Sequence, residues 1–438
     1  MSAILRTPLS DHSRLLALGK QADLARQIAE DAGRCVACGL CLPHCPTYQI
    51  KLNEADSPRG RIALAQALAT GELSFNRKLN DHFEQCLGCR ACEAMCPSLV
   101  RFSRLLCNTR SLIETRHRKI SLYSWLEKLI RDHLLSQRAN LEKLNWLVWL
   151  YRRSGMRYLL KVTGLQHALG LTRLDSFLPE KQTAGRFHHY YPAVAKSHGS
   201  VSLFMGCVNS TLDQNTLTAS IRVLTRLGYE VHIPENQTCC GAIHQHAGDL
   251  DGAARRQSTN LDAFTGHDAV ISTATGCTAM LSEYGGNSEL PDAQDFSERV
   301  FDINRFLAQS ERLKGVTLKP AAARIVVHEP CSLRNVLKQQ KYVYELLRHI
   351  PQSEIVTLQS KQCCGGAGTY PLRQKAMADE LIEITLSELR TLAPAIVVTT
   401  NIGCALQLRT TLASTELDIT VLHPVELLDQ LWETDGNQ

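Results

Sequence analysis

In the second half of the chain, short apolar runs alternate with stretches whose apolar positions recur at helical spacing. Three such runs follow one another from residue 201: VSLFM, YEVHI and AVIST. A second series of three, ARIVVH, EIVTL and AIVVTT, follows from residue 323 with similar helical stretches between its runs. Buried parallel strands read as short runs of apolar and β-branched residues, and the connections between them need helices. The pattern therefore predicts parallel, helix-covered α/β sheets.

The chain up to Arg110 carries a helical pattern instead. The segment ADSPRGRIALAQALATGEL places Pro58 at a helix start, followed by strong helix formers. From His117 to Leu165 the chain is basic and also reads as helical. We expect a helical domain at 1–110, a helical connector at 111–198, and two α/β units at 199–310 and 311–438.

Composition adds one unusual feature, which is 17 cysteines among 438 residues. Their number is odd, and the N-terminus lacks an apolar segment followed by a small-residue cleavage site, so a secreted disulfide scaffold is disfavoured. No run approaches the roughly 18 to 20 apolar residues of a spanning helix. The sequence therefore predicts a cytoplasmic protein whose thiols are reduced or metal-bound, with any membrane contact peripheral.

The net charge of +5 is mild, and no nucleic-acid-binding motif accompanies the basic residues. No G-x-G-x-x-G follows a predicted strand, so we expect flavin and nicotinamide sites on other chains. Nucleic-acid binding is not expected.

Two cysteine motifs near the N-terminus both read C-x2-C-x2-C-x3-C-P. This spacing is typical of 4Fe-4S ferredoxins, in which the fourth cysteine ligates the neighbouring cluster. Zinc is the alternative for C-x2-C pairs, but it does not need three successive steps and a trailing proline. We assign one cluster to Cys35, Cys38, Cys41 and Cys96, and the other to Cys86, Cys89, Cys92 and Cys45.

The remaining cysteines form an internal repeat. In both copies the first cysteine is followed, at an identical spacing, by an adjacent cysteine pair and a glycine, and a fourth cysteine comes later at a nearly equal spacing. Parallel strands bring their carboxyl ends to one edge, so we expect these thiols to converge and to hold further iron–sulfur clusters. The alternative is that they pack as small apolar residues. The two sets are Cys207, Cys239, Cys240 and Cys277, and Cys331, Cys363, Cys364 and Cys404.

Several other residues have two interpretations. Arg59 and Arg61 either offset the negative charge of a cluster or are ordinary surface arginines at a helix start. His244, His246 and His328 lie near predicted cluster cysteines, where they could ligate iron, tune a potential or donate protons, or simply be satisfied polar residues. Cys107 lies outside both motifs and is interpreted as a buried free thiol.

The duplicated units resemble the cysteine-rich CCG domains of the heterodisulfide reductase family. In that family's full pattern the last element is C-x2-C, which gives five thiolates and a non-cubane 4Fe-4S cluster. Met280 and Gln407 stand where the final cysteine would be, so each unit keeps four. This departure argues against the rival interpretation, an enzyme that reduces a disulfide at such a cluster.

The ferredoxin-like start followed by two CCG units resembles the glycolate oxidase iron–sulfur subunit family. The resemblance is carried by SPRGRI at Ser57, CCGAIHQHAGD at Cys239, CCGGAGTY at Cys363 and NIGC ending at Cys404. It implies a chain that passes electrons from a FAD-bearing partner, which oxidises a 2-hydroxy acid, toward quinone. The subunits for D-lactate and anaerobic glycerol-3-phosphate oxidation are close alternatives. The chain itself would hold no catalytic residue.

The connector holds Trp125, Trp146 and Trp149, and the run WLVWLY is followed by two arginines. Tryptophan beside arginine is typical of a helix on a membrane surface. Packing against the protein itself or against a partner subunit is the alternative.

Overall fold

The structure is a computed structural model that describes residues 11–117, 128–129, 131–132, 138–165, 175–178, 187–194, 196–287 and 290–433. The chain forms two compact units. The first contains the chain up to Ser121 and the segment His244–Leu250, and the second contains Leu122–Ile243 and Asp251–Gln438. The N-terminal decapeptide, Trp125 and much of the predicted connector lie outside the described residues.

The first unit is helical. The helix Pro58–Thr70, α3, shows why its sequence folds this way. Pro58 occupies the first turn, where its missing N–H is not needed, and the Ser57 hydroxyl caps the helix by accepting from the Gly60 N–H. Helix α4 is capped in the same way by Asn76. The described helices are α1 (Asp11–Ala32), α2 (Pro46–Lys51), α3 (Pro58–Thr70), α4 (Arg77–Glu84), α5 (Ala91–Ala94) and α6 (Phe102–His117).

The core of the first unit lies where α1, α3 and α6 pack together. Ile28, Ala65, Phe83, Leu105 and Leu112 are completely buried there. The cysteine loops lie at the edge of this core, since Cys35, Cys41, Cys86 and Cys96 pack against it.

In the second unit, two helices precede the sheets, α7 (Arg138–Arg153) and α8 (Met156–Val162). A short strand, β1 (Tyr190–Tyr191), then pairs antiparallel with β3 (Glu230–His232). The sequence pattern did not predict this strand, because two exposed or half-buried tyrosines carry no alternating apolar signal.

The first sheet has the order β1-β3-β2-β4-β5, and all its pairings other than that of β1 are parallel. Its remaining strands are β2 (Ser200–Phe204), β3 (Glu230–His232), β4 (Val270–Ser272) and β5 (Val300–Asp302). Its helices are α9 (Cys207–Leu212), α10 (Gln214–Arg226), α11 (Ala242–His246), α12 (Leu250–Ala263), α13 (Thr275–Ser282), α14 (Tyr284–Asn287), α15 (Ala293–Glu298) and α16 (Ile303–Ala308).

The second sheet is fully parallel and has the order β7-β6-β8-β9. Its strands are β6 (Arg324–His328), β7 (Glu354–Thr357), β8 (Ile396–Thr399) and β9 (Thr420–Leu422). Its helices are α17 (Gln340–Leu347), α18 (Tyr370–Arg373), α19 (Lys375–Leu392), α20 (Ile402–Leu412) and α21 (Pro424–Leu431), and a π-helical segment spans Ser332–Leu337.

The two sheets repeat one strand order, since β3, β2, β4 and β5 correspond to β7, β6, β8 and β9. They also share one apolar core, in which Leu203, Leu217, Ile325, Leu346 and Val425 are buried together. The predicted fold class, a helical cluster domain followed by a duplicated parallel α/β domain, is confirmed. The boundaries at 110, 198 and 310 stay predictions.

Within the described residues, no helix combines the length and apolarity needed to cross a bilayer.

Candidate metal centres

The two N-terminal motifs have the same backbone shape. In the first loop Ala37 and Gly39 have positive φ angles of 53° and 82°, and in the second loop Gly88 and Arg90 have φ angles of 64° and 58°. These residues stand two and four positions after the first cysteine of each motif. Left-handed residues in such loops turn backbone N–H groups toward a shared centre, where they can donate to anionic ligands.

A concave site in the first unit brings cysteines from both motifs together. Its lining includes Cys35, Cys38 and Cys41 from the first motif, and Cys92 and Cys96 from the second. The three cysteines of the first motif thus meet Cys96, the partner that the sequence predicted. The exact ligand sets of the two clusters stay a prediction.

Cys92 is the most buried cysteine of the second motif. Burial raises its pKa well above the usual value, and the neighbouring Cys89, Cys86 and Cys45 raise it further. Cys45 therefore lies near the cysteines of the other motif. Cys41 of the first motif raises the pKa of Cys92 as well, so Cys92 lies close to cysteines of both motifs, and the membership of a second cluster stays a prediction.

Arg59 lies beside the first loop. Burial raises the pKa of the Cys41 thiol, and the Arg59 backbone N–H, which donates to the Cys41 sulfur, lowers that pKa in part. The Arg59 side chain lines the concave site, donates to the Ala37 carbonyl at 3.3 Å and pairs with Glu54 at 2.6 Å. Arg59 therefore lines the predicted cluster site from helix α3, with its side chain still 35% exposed.

Arg61 is 1% exposed and is one of the largest fully buried side chains in the described part of the chain. Its guanidinium donates to the His82 carbonyl at 2.7 Å and to Thr47 Oγ1 at 3.0 Å, and it lies 3.5 Å from the buried Asp56 carboxylate. Thr47 Oγ1 in turn lies 3.4 Å from Cys45 Sγ. The surface interpretation of Arg61 is wrong, because this arginine ties the Cys45 loop to α3 and α4.

Cys107 is 3% exposed, and burial raises its pKa to about 11. It lies on α6, outside both loops. Its burial fits the predicted free thiol, which is protonated and inert at neutral pH.

The first repeat gathers its four cysteines at the carboxyl ends of its strands. Cys207 Sγ lies 3.5 Å from Cys239 Sγ, and the Gly241 N–H donates to Cys239 Sγ at 3.5 Å. Cys240 is within hydrogen-bonding reach of both Cys239 and Cys277. These contacts and burial raise the pKa of Cys207 and Cys240 well above the usual value.

The second repeat gathers its cysteines in the same way. Cys331 is within hydrogen-bonding reach of Cys363, and Cys364 is within reach of Cys363 and Cys404. The Asn401 amide donates to Cys404 Sγ at 3.7 Å. Free thiols this close and this buried have no water to solvate a thiolate, so a metal cluster is the partner that fits four such donors.

Two glycines allow this second site to close. A Cβ on Gly366 would lie 2.5 Å from the Gly403 carbonyl oxygen, and a Cβ on Gly403 would lie 2.3 Å from the Gly366 oxygen. The loop after the cysteine pair therefore touches the start of α20 backbone to backbone. This contact brings Cys364 and Cys404 together.

The two sites of the second unit are neighbours. Asn401 Oδ1 accepts from the Gly276 N–H at 3.1 Å, one residue before Cys277, and Ser332 donates to Thr275 at 2.9 Å, one residue after Cys331. Cys277 packs against the apolar clusters of both sites. The repeats thus bring their cysteine sets within one contiguous region.

The sequence placed the single cysteines of the repeats at strand ends, and the structure refines this. Cys207, Cys277 and Cys404 lie in the first turns of α9, α13 and α20, just beyond the strands, and Cys331 precedes the π-helical segment. Met280 and Gln407, at the positions of the missing fifth cysteines, are both buried.

One side chain outside the predicted ligand sets, His328, lies beside two of the predicted cluster cysteines. A ring nitrogen of His328 and the sulfurs of Cys364 and Cys404 lie within 4.8 Å of one another, and all three residues are buried. The available signal was the position of His328, three residues before Cys331. His244 is also buried, whereas His246 is exposed.

Thiolate sulfur is the donor that 4Fe-4S clusters use, and such clusters, when bound, accept and release single electrons. The first unit supplies eight cysteines in two paired loops, and each repeat supplies four converging cysteines. These features define an iron–sulfur protein. Residues 31–100 match the 4Fe-4S dicluster domain family, and residues 201–282 and 325–409 match the cysteine-rich domain family CCG.

Curated proteins that resemble this chain over most of its length identify its family. The "Probable glycolate oxidase iron-sulfur subunit" of Bacillus subtilis is 31% identical over 92% of this chain and 94% of its own length. The "Glycolate oxidase iron-sulfur subunit" of Escherichia coli is 31% identical over 98% of this chain and 100% of its own. "Lactate utilization protein A" of Geobacillus thermodenitrificans is 26% identical over 52% of this chain and 98% of its own. The chain belongs to the glycolate oxidase iron–sulfur subunit family.

Proposed function

We propose that this chain is the electron-transfer subunit of a flavin-dependent 2-hydroxy-acid oxidase, with glycolate as the substrate. The observation that carries the proposal is the near-full-length similarity to two glycolate oxidase iron–sulfur subunits, combined with the convergence of cysteines within each unit. Oxidation of the hydroxy acid to the oxo acid releases two electrons and two protons to a FAD-bearing partner. The electrons then pass singly to this chain.

The side chains of the sites suit this role. Arg59 and Arg61 place positive charge near the thiolates of the first unit, and the backbone of Arg59 donates to a sulfur. Such contacts favour a reduced, more negative cluster and so raise its potential. The chain's part in the reaction is to hold clusters at set distances and potentials, while quinone is the proposed final acceptor.

The apolar surface of α7 and α8 supports a peripheral membrane contact. Trp146, Leu147, Tyr158, Leu159 and Val162 are each more than half exposed. Basic side chains accompany them, and the Arg153 guanidinium lies 5.6 Å from the centre of the Trp149 ring. We propose that this surface rests on anionic lipid near the quinone pool.

The test is anaerobic purification of the tagged chain from its own host, followed by separate additions of glycolate, D-lactate and glycerol 3-phosphate. We expect flavin to co-purify and glycolate to bleach the cluster absorbance. Bleaching by one of the other substrates would reassign the hydroxy acid. Isolation of the chain without flavin, with no bleaching by any substrate, would contradict the proposal.

A further inference from the structure

His328 is the last residue of β6, and its neighbour in the sheet is the last residue of β8. The two strands are paired in register with His328 opposite Thr399, and His328 Nδ1 lies 3.0 Å from Thr399 Oγ1. Both side chains are buried, at 4% and 2% exposure. The imidazole is therefore fixed in orientation, and its Nδ1 is already engaged.

The same ring approaches two of the predicted cluster ligands. A ring nitrogen of His328, Cys364 Sγ and Cys404 Sγ all lie within 4.8 Å of one another. Since Nδ1 contacts Thr399, Nε2 is the nitrogen left for a metal. Metal-ligating histidines commonly hold their other ring nitrogen in such a contact, which fixes the tautomer and the orientation of the ring.

The first repeat lacks this arrangement. Phe204 ends β2, three residues before Cys207, and its register partner on β4 is Ser272. Phe204 is 2% exposed and offers no donor atom. The pair His328 and Thr399 thus replaces the pair Phe204 and Ser272, so the two repeats differ here beside otherwise equivalent cysteine sets.

We propose that His328 Nε2 ligates an iron of the cluster held by Cys331, Cys363, Cys364 and Cys404. The histidine supplies a fifth donor in the repeat where Gln407 replaces the fifth cysteine. Five donors exceed the four of a structural zinc site, so iron–sulfur is the class of cofactor that the set takes. Imidazole in place of thiolate raises the potential of an iron–sulfur centre, so a cysteine at position 328 should lower the midpoint potential of this cluster.

The inference rests on cluster loading and not on the identity of the hydroxy acid, so the test reduces the protein with dithionite. The full chain is purified anaerobically with natural-abundance histidine or with ¹⁵N-histidine, and pulsed EPR records nitrogen hyperfine coupling to the reduced clusters. Clusters ligated only by cysteine give no directly coordinated histidine coupling. We expect a strong coupling in the wild type that changes with the isotope.

Three variants assign the coupling. In His328→Phe, which copies the first repeat, the coupling disappears, whereas His349→Gln, an exposed histidine of the same repeat, keeps it. If the His328→Phe variant loses iron, the His328→Cys variant provides the test. This variant supports the assignment if it retains its iron, shows no nitrogen coupling and has a lower midpoint potential than the wild type. Three results would overturn the proposal. The wild type could show no histidine coupling, the coupling could persist in His328→Phe or His328→Cys, or these residues could be found to bind zinc.

Discussion

The buried guanidinium of Arg61 donates to Thr47 Oγ1 at 3.0 Å, and this contact joins helix α3 to the turn that carries Cys45. The same guanidinium lies 3.5 Å from the Asp56 carboxylate, which is itself 1% exposed. A buried arginine that compensates a buried carboxylate and orders a cluster loop couples the folding of the first unit to cluster binding.

Replacement of this arginine should therefore be costly. Arg61→Leu removes the fully buried cation beside Asp56. That carboxylate then keeps His82 at 2.9 Å and Lys51 at 4.0 Å. Breaking a buried ion pair typically costs about 3 to 5 kcal/mol, and the two remaining partners place the expected loss toward the lower end of that range. We expect lower thermal stability and loss of iron from the first unit, measured by scanning calorimetry and iron content. Arg26→Leu, at an arginine of α1 whose side chain is 62% exposed, is the control and should keep both its fold and its iron. An Arg61→Leu protein with wild-type stability and iron would contradict this prediction.

The crossed assignment of the fourth cysteines can be tested by combining substitutions. If Cys45 and Cys86 hold the same cluster, Cys45→Ser/Cys86→Ser damages one cluster and spares the other. Cys45→Ser/Cys35→Ser should instead damage both. Iron content and Mössbauer spectra distinguish the two outcomes, because a spared 4Fe-4S cluster retains its full spectrum. Equal loss in both double variants would reject the crossed assignment, and the reverse order of loss would assign Cys45 to its own motif.

A buried acid pair links the two repeats and predicts a pH dependence. Glu426 contacts the Thr216 hydroxyl and lies 3.7 Å from Arg409, which also contacts Asp213 at 3.4 Å. Burial, together with Asp213, raises the pKa of Glu426 to about 7. Well below pH 4.5, the ordinary pKa of a glutamate, the carboxyl is protonated in both the folded and unfolded states. As the pH rises from 4.5 to 7 the unfolded state loses its proton first, so stability falls by up to about 3 kcal/mol.

Glu426→Gln removes this titration and keeps a neutral side chain of the same shape. We expect its second unit to lose less stability between pH 5 and 7 than the wild type does. Hydrogen exchange of peptides over 213–227 and 405–431, corrected for the intrinsic rate, reports this locally. Glu354→Gln, at an exposed glutamate of β7, is the control and should follow the wild-type pH profile. If Glu426→Gln loses as much stability between pH 5 and 7 as the wild type does, the Glu426 carboxyl does not cause the pH dependence.

The exposed tryptophans give a prediction for membrane binding. Trp146→Ser/Trp149→Ser removes two large rings, and we expect binding to anionic vesicles to weaken roughly 10- to 100-fold. Vesicle co-sedimentation measures this effect. Leu18→Ser/Leu73→Ser removes exposed apolar side chains from the first unit and should bind as the wild type does. Unchanged vesicle binding, accompanied by loss of a co-purifying flavoprotein, would assign the surface to the partner subunit.

Much of the architecture followed from local pattern. The alternation of apolar runs and helical stretches predicted β2 to β4 and β6 to β8. Each sheet adds one more parallel strand at its edge, β5 and β9. The cysteine spacing predicted four cysteine sets. Strand β1 escaped prediction because its two tyrosines acquire their role only by pairing with β3.

Side-chain roles that depend on distant segments were harder to predict. The sequence left two interpretations of Arg61 open, a charge beside a cluster and a surface residue at a helix start, because its burial depends on contacts with α4 and the Cys45 turn. His328 stands three positions from Cys331, yet the cysteines grouped with it are Cys364 and Cys404, which come from later, separate segments. Spacing along the chain identifies ligands within one loop, whereas ligands from separate strands depend on the sheet register.

The segment His244–Leu250 belongs to the first compact unit, although in the chain it comes after the first strands of the second unit. Arg110 donates to the His246 carbonyl at 2.8 Å, and the Gly248 backbone approaches Arg110 so closely that a Cβ there would lie 2.7 Å from its carbonyl carbon. During synthesis, the ribosome must therefore translate past Leu250 before the N-terminal cluster domain can take its final form. An iron–sulfur scaffold protein that loads this domain would meet a nascent chain in which the part up to Ser121 still lacks one piece.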